Sequence, residues 1–292
     1  MRLSRAALRG AVLAWALVPL ACEGDPAPPR GFVPTSVAPP EDGVLRLLGT
    51  GAMTPLARRL VEVWRRSPEG SAWRAVVEPS VGSGGGVRAT WDGVVDLGMI
   101  SRPLNERERK LGLQVFPVAR GGVVLAVQRD TPLRGVSGEE IERLYRGEGD
   151  TSKGALSLLL RDREESANAA LERWFPALGP LREQAYQQRR ARVLYHDEAM
   201  REALVATPGA VGVVDLGAVL GEHSALRELA IDGVEPTLDA VRDGRWKATR
   251  ELSFVFRPER AERVQAFLRF VRSREARAIV EASGCVVVEG EP

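Results

Sequence analysis

Cysteine, histidine and lysine are nearly missing from this sequence: Cys22 and Cys285, His196 and His223, and Lys110, Lys153 and Lys247 are all it holds. Four scattered thiols and imidazoles have no metal-ligand spacing, so neither a metal nor a cofactor is expected. No nucleophile-elbow pattern stands out either, and an unperturbed histidine needs no special role, which leaves the chain poor in catalytic sets. Charge of one sign is lacking too. The 41 basic residues face 39 acidic ones, and without the arginines at 2, 5 and 9 the count is 38 against 39. A phosphate-backbone binder concentrates positive charge, so nucleic acid is not an expected partner. Among basic residues arginine is used almost alone; codon preference explains that blandly, although its rigid fork also suits oxyanions.

Long apolar runs are absent beyond the start of the chain. Residues 1–21 carry Arg2, Arg5 and Arg9, no acid, and then AVLAWALVPLA, a signal-peptide pattern too short for a membrane span. PLAC at 19–22 resembles the lipobox of bacterial lipoproteins, despite Pro19 where an aliphatic residue is usual, and predicts lipidation of Cys22. An ordinary cleaved signal and an uncleaved anchor are the alternatives. Acylated Cys22 leaves Cys285 without a disulfide partner; a Cys22–Cys285 bridge is the rival arrangement. Residues 22–43 are rich in proline and without period, a tether.

From residue 44 short apolar runs alternate with helical patterns. VLRLL (44–48) predicts a strand, and GTGAMTPLARRLVEVWRR turns into a helix with Thr54 as N-cap and Pro55 at its first position. RAVVE (74–78), the glycine-rich stretch with a short helix near 87–91, and VVDLGMI (94–100) continue the alternation. LQVFPVA (113–119) and GVVLAVQ (122–128) read as two extended runs, and Ser137 with Glu140 as a capping box. LSLLL (156–160), SANAALERWF (166–175), ARVLYH (191–196), DEAMREALVAT (197–207) and GAVGVVD (209–215) build a second set; LSFVFR and helical stretches at 260–272 and 274–282 follow. The pattern predicts an α/β fold with a parallel sheet, and the length predicts two lobes.

Three turns share one design, at Gly49 to Thr54, Gly82 to Val87 and Arg161 to Ala167: a strand ends, small or hydroxylated residues follow, and a helix begins. Unpaired amides and the dipole of a helix start favour an oxyanion there, and glycine lets it touch the backbone. A plain tight turn explains any one of them equally well. RDREES could supply a carboxylate pair, with solvated surface charge as the bland reading. Gly49-x-Gly51 with Glu78 mimics part of a dinucleotide fingerprint, but Thr54 replaces its third glycine.

Taken in order, GTGAMTPLARRLVEVW, GSGGGVRATWDGVVDLGMISRPL, FPVARGGVVLAVQRDTPLRGVSGEEIERLYRGE, PGAVGVVDLG and AIDGVEPTLDAVRDGRWKATRELSFVF resemble the phosphate-binding solute receptors of bacterial ABC transporters. The similarity runs from residue 44 to the end. It implies a two-lobed periplasmic-binding-protein-like α/β fold with two mixed or parallel sheets, a hinge and an interlobe cleft. Lobe one would hold 44–119 and 226–292, and lobe two 120–225. The implied ligands are Ala52, Met53 and Thr54 from the first loop, Ser83, Gly84 and Gly85 from the second, Ser101 and Arg102 after the third strand, and Arg161 and Ser166 from lobe two. EESAN stands where the family commonly has Ser-Gly-Thr.

The resemblance implies a monomeric, non-enzymatic lipoprotein of the cell envelope or periplasm, touching the membrane only through its anchor. It would bind inorganic phosphate or a related oxyanion and deliver it to an inner-membrane ABC permease. A sensor or interaction module with a decayed anion site is the alternative. Hydrogen phosphate carries a proton and wants an acceptor beside donors, whereas sulfate wants donors only. With serine at 101 that acceptor must be another group, and Asp162, Glu164 and Glu165 are the candidates.

Overall fold

The computed structural model describes residues 43–151, 154–220 and 224–288. The leader, Cys22 and the tether before Gly43 lie outside the described residues, as does His223. Strands β1 (Val44–Gly49), β2 (Arg74–Val77) and β3 (Leu97–Ile100) alternate with helices α1 (Thr54–Trp64) and α2 (Gly82–Trp91), and β1 pairs in parallel with both other strands. Helix α3 (Glu106–Arg109) leads into the 15-residue β4 (Gln114–Gln128). Beyond it come β5 (Gly135–Val136), α4 (Gly138–Tyr145), the small pair β6 (Asp150–Thr151) and β7 (Gly154–Ala155), β8 (Ser157–Arg161), α5 (Ser166–Trp174) and α6 (Leu178–Gln187). The chain continues through β9 (Arg192–Leu194), α7 (Asp197–Ala206), β10 (Ala210–Asp215), β11 (Leu226–Glu228), β12 (Ala230–Ile231) and α8 (Leu238–Arg242). It ends on β13 (Thr249–Phe256), α9 (Ala261–Val271), α10 (Arg274–Ala282) and β14 (Cys285–Val287).

Hydrogen bonding joins the main strands in the order β2-β1-β3-β13-β4-β10-β8-β9, with β11 and β14 also on β4. The pairing is mixed: β8 lies parallel to β9 and β10, while β13 and β4 run antiparallel to their neighbours. The two extended runs expected at 113–119 and 122–128 are thus one strand. Its irregularity is local: Pro117 cannot donate to the ladder, and opposite it the register shifts between Leu252 and Ser253. Helix α6 escapes the sequence pattern because Gly179 and Pro180 look like breakers. Proline in a first turn costs no helical hydrogen bond.

Two cores flank this sheet. In the first, Leu45, Leu47, Leu60 and Trp64 pack with Phe254 and Phe267; Trp64 meets Phe267 edge-on at 5.2 Å between ring centroids. In the second, Trp246 is fully buried, stands edge-on to Trp174 at 4.9 Å, and donates its indole N–H to the Val123 carbonyl at 3.0 Å. Truncating such a ring to alanine costs about 3–5 kcal/mol. Strand β4 passes from one core to the other: Val118 and Ala119 belong to the first, Val123 to Val127 to the second. Leu226, Leu229, Ile231, Val241 and Trp246 also pack in the second core, although the sequence reading drew the lobe boundary at residue 226. Among the described residues no helix is long and apolar enough to cross a membrane, and no group of three or more histidine, cysteine or acidic side chains could hold a metal.

Candidate functional site

Parallel strands end together, and the side chains that follow them meet. Ser101, just after β3, is buried; its hydroxyl lies 3.0 Å from that of Thr50, which follows β1, and 3.3 Å from that of Ser83 in the first turn of α2. The Ser101 N–H donates to Ser83 Oγ at 3.1 Å. From the other half of the molecule Ser166, the first residue of α5, places its hydroxyl 2.8 Å from that of Ser101. Residues at the ends of two strands and the starts of two helices therefore form one hydroxyl cluster across the two halves.

Behind it stand two buried arginines. Arg250 of β13 donates from Nη1 to Ser166 Oγ and to Glu165 Oε1, both at 2.8 Å, and from Nη2 to Asp215 at the end of β10. Arg161, at the end of β8, donates from Nη2 to Glu165 Oε2 at 3.1 Å and lies 2.9 Å from Asp197 Oδ1. Glu165 thus bridges both guanidiniums. The Nε and Nη1 of Arg161 are buried with no hydrogen-bond partner among the described residues. Orphaned donors of a buried charged group are expensive, so they mark where a partner belongs.

Two guanidiniums against three carboxylates leave the cluster short of positive charge. Burial pushes the Glu165 carboxyl up, but Arg250 and Arg161 outweigh it and hold the group below the usual glutamate range. Asp215 is pushed up by burial and by the carboxylates of Asp197 and Glu165, against the pull of Arg250. Arg250 stays charged: burial alone would lower its pKa, and Asp215, Glu165 and Asp197 more than reverse that.

The expected ligand residues fare differently. Ser83, Ser101 and Ser166 meet directly, and Arg161 is linked to them only through Glu165, which bonds both Arg161 and the Arg250 that holds Ser166. Gly51–Met53 form a single 3-10 turn ahead of α1; Met53 is buried in the first core and Ala52 packs against it, so those two can offer only backbone. Thr54 is not an N-cap. It is the first residue of α1, and its hydroxyl donates to the Thr50 carbonyl at 3.2 Å. The helix expected near 87–91 begins at Gly82, so Gly84 and Gly85 lie in its first turns rather than in a loop. Part of the glycine need is packing: a Cβ on Gly86 would come 2.8 Å from the Gly49 Cα. Arg102 spends both its Nη nitrogens on Glu108, at 2.7 and 2.8 Å, where Glu108 also closes the capping box of α3. Glu78 of the dinucleotide alternative accepts from Arg46 at 3.0 Å, and His196 stands exposed at the start of α7.

A sequence model described as a PBP superfamily domain matches residues 34–275. The chain belongs to the PBP superfamily. No curated protein matches it. Its fold resembles a phosphate ABC transporter substrate-binding protein from Clostridium perfringens, solved with bound phosphate, at 18% identity and a TM-score of 0.73 over 84% of this chain and 100% of that one. An ABC-type phosphate transport receptor from Vibrio cholerae matches at 18% identity and 0.61, covering 83% and 99%. The regulatory domain of CcmR from Synechocystis, in complex with 2-PG, matches at 16% and 0.53, covering 80% and 99%. This superfamily member therefore has the periplasmic-binding-protein-like architecture expected from its sequence.

Sequence reasoning missed Arg250, Asp197 and Asp215. A signal existed for the first, since an arginine inside the apolar run ATRELSFVF is costly to bury unless paired. Asp197 and Asp215 each directly follow or end a strand run, as YHD and GVVD, the same edge that carries Ser101 and Arg161.

Proposed function

We propose that this superfamily member binds inorganic phosphate or a related tetrahedral oxyanion between its two lobes, without chemical turnover. As a monomeric lipoprotein anchored through Cys22 outside the cytoplasm, it hands the anion to an ABC permease. The observation that carries the reading is Arg161, a buried guanidinium whose Nε and Nη1 have no hydrogen-bond partner among the described residues and which is joined, through Glu165 and Arg250, to a cluster of four hydroxyls. Hydroxyls that now bond one another can each turn a proton toward an anion, and contacts made to both lobes at once favour the closed form. Glu165 supplies the acceptor that hydrogen phosphate needs and sulfate cannot use. The second reading, a sensor or interaction module that no longer takes an anion, is favoured by the same carboxylate, because Glu165 already occupies both arginines.

Calorimetric titration with phosphate, sulfate, molybdate and buffer decides between them. The first reading expects phosphate binding that weakens by about tenfold or more in Ser83→Ala and Arg161→Ala, the cost of one or two charge-assisted contacts. Heat with none of the three anions supports the second. Phosphate binding unchanged in both variants, with their melting curves intact, rejects this placement of the site.

A further inference from the structure

Of the three carboxylates around Arg161 and Arg250, Asp197 is the least tightly held. Glu165 bonds both guanidiniums and Asp215 is tied to Arg250, with 21% and 28% of their side chains exposed; Asp197 makes one ion pair, to Arg161 Nη2 at 2.9 Å, and is 39% exposed. It heads α7, whose Met200 and Leu204 pack in the second core, and it reaches across to the other half: its Oδ2 comes 3.0 Å from where a Cβ on Gly51 would stand. Asp197 thus joins two of the three turns whose pattern favours an oxyanion, Gly49 to Thr54 and Arg161 to Ala167. A carboxylate is itself an oxyanion, so this one competes with any guest for Arg161.

Asp197 also has somewhere to go. It lines a cavity of about 250 Å³ together with Gly51, Ala52 and Arg201. Arg201 lies four residues on in α7, the spacing at which an acid and a later arginine share one helix face with Cβ atoms about 5–6 Å apart. Yet Arg201 has no hydrogen bond or ion pair among the described residues. A change of side-chain rotamer carries the Asp197 carboxylate from Arg161 toward Arg201 and leaves the helix where it is. An anion entering beside Arg161 and Arg250 first meets two cations and three carboxylates; once Asp197 has turned away it meets two and two.

We propose that Asp197 is a displaceable internal anion that sets the affinity of the site: it holds Arg161 in the ligand-free protein and turns to Arg201 when an oxyanion takes its place. This rests on the oxyanion reading above and adds a competitor built into the chain. Arg201 touches no ligand and acts only through Asp197.

The test is calorimetric titration of the whole protein with inorganic phosphate, at about 0.15 M salt so that exposed charges more than about 8 Å apart are screened. Asp197→Ala is expected to bind phosphate about ten- to a hundredfold tighter than wild type, the worth of one charge-assisted contact that no longer competes. A residue with a purely structural role would not raise affinity on removal. Asp197→Asn keeps the size of the side chain and moves affinity in the same direction, which covers a failure of the alanine variant to fold. Arg201→Gln weakens binding to the otherwise wild-type protein by about two- to fivefold, the range of an exposed pair at this spacing, and does nothing once Asp197 is replaced by alanine. Phosphate affinity that is unchanged or lower in the Asp197 variants, or an Arg201→Gln effect of equal size with and without Asp197, overturns the proposal while the oxyanion reading stands. Phosphate binding in Asp197→Ala but not in wild type supports it. If phosphate binds to neither, the oxyanion reading has failed and this one falls with it.

Discussion

Glutamine at position 165 would keep the size of Glu165 and one carbonyl acceptor while removing the charge that Arg161 and Arg250 share at 3.1 and 2.8 Å. Two effects follow, with opposite signs. The folded protein loses compensation for two buried cations; because Asp197 and Asp215 remain, the expected cost is about 2 kcal/mol, below the roughly 3–5 kcal/mol of a pair left wholly uncompensated. Ligand affinity moves the other way. A unit negative charge about 6 Å from a bound anion, at an effective dielectric near 20, repels each unit of ligand charge by about 3 kcal/mol. Sulfate, with two units of charge and no proton to offer Glu165, feels about 6 kcal/mol of this, so Glu165→Gln should strengthen sulfate binding by up to about four orders of magnitude. Hydrogen phosphate gains the same relief but gives up a charge-assisted bond of about 1.5–3 kcal/mol, so it strengthens less and its preference over sulfate falls by about ten- to a hundredfold. Calorimetry with both anions reads the ratio, and thermal melts read the stability. The stability difference should also depend on pH. Because Glu165 is held below its ordinary pKa, its contribution is complete above the unfolded value and disappears as pH falls through the lowered folded one, so wild type and variant converge only below that lowered value. Sulfate affinity that stays put in a folded Glu165→Gln protein refutes the placement of this carboxylate beside the anion.

Cys285 is buried, and burial pushes its thiol up to about 12, so iodoacetamide near pH 8 should leave it untouched in the folded protein and label it once urea is added. Mass spectrometry of the Cys285 peptide checks this, and labelling at the rate of a free thiol in the folded state contradicts it. Gly49→Ala would put a Cβ 2.0 Å from the Met99 carbonyl oxygen, backbone that cannot yield cheaply, and should lose about 3 kcal/mol or more by urea unfolding. A loss under about 1 kcal/mol would mean that β1 and β3 are not packed this closely.

Much of this molecule could be read before its structure was known, and the reasons are local. β1 and β3 announce themselves as short apolar runs that end in Gly49-Thr50 and Ser101, and β8 as one that ends in Arg161, and a strand that ends in a polar residue delivers it to one edge of a parallel sheet. That is why the turns at Gly82 to Val87 and Arg161 to Ala167 are legible from pattern, whereas Ser83, Ser101, Arg161 and Ser166 are singled out as ligands only by the resemblance to phosphate-binding receptors. The rest depends on distance along the chain. Asp215 and Arg250 are 35 residues apart, and Glu165 meets Arg250 across 85; nothing in a single sequence ties such partners together. Where α2 begins was equally hidden, since glycine says loop by propensity and only the close approach of Gly86 to β1 explains its use in a helix.

The long strand β4 has a mechanical meaning. Its ladder with β13 and β14 belongs to one core and its ladder with β10 and β11 to the other: β13 stays paired through Arg120, Gly121 and Gly122, and β10 takes over at the next residue, Val123, so the ribbon is never left without a partner. A loop linker would let the halves swing on a slack cord. Here the two cores share one hydrogen-bonded ribbon, so displacing one against the other would have to twist β4 itself.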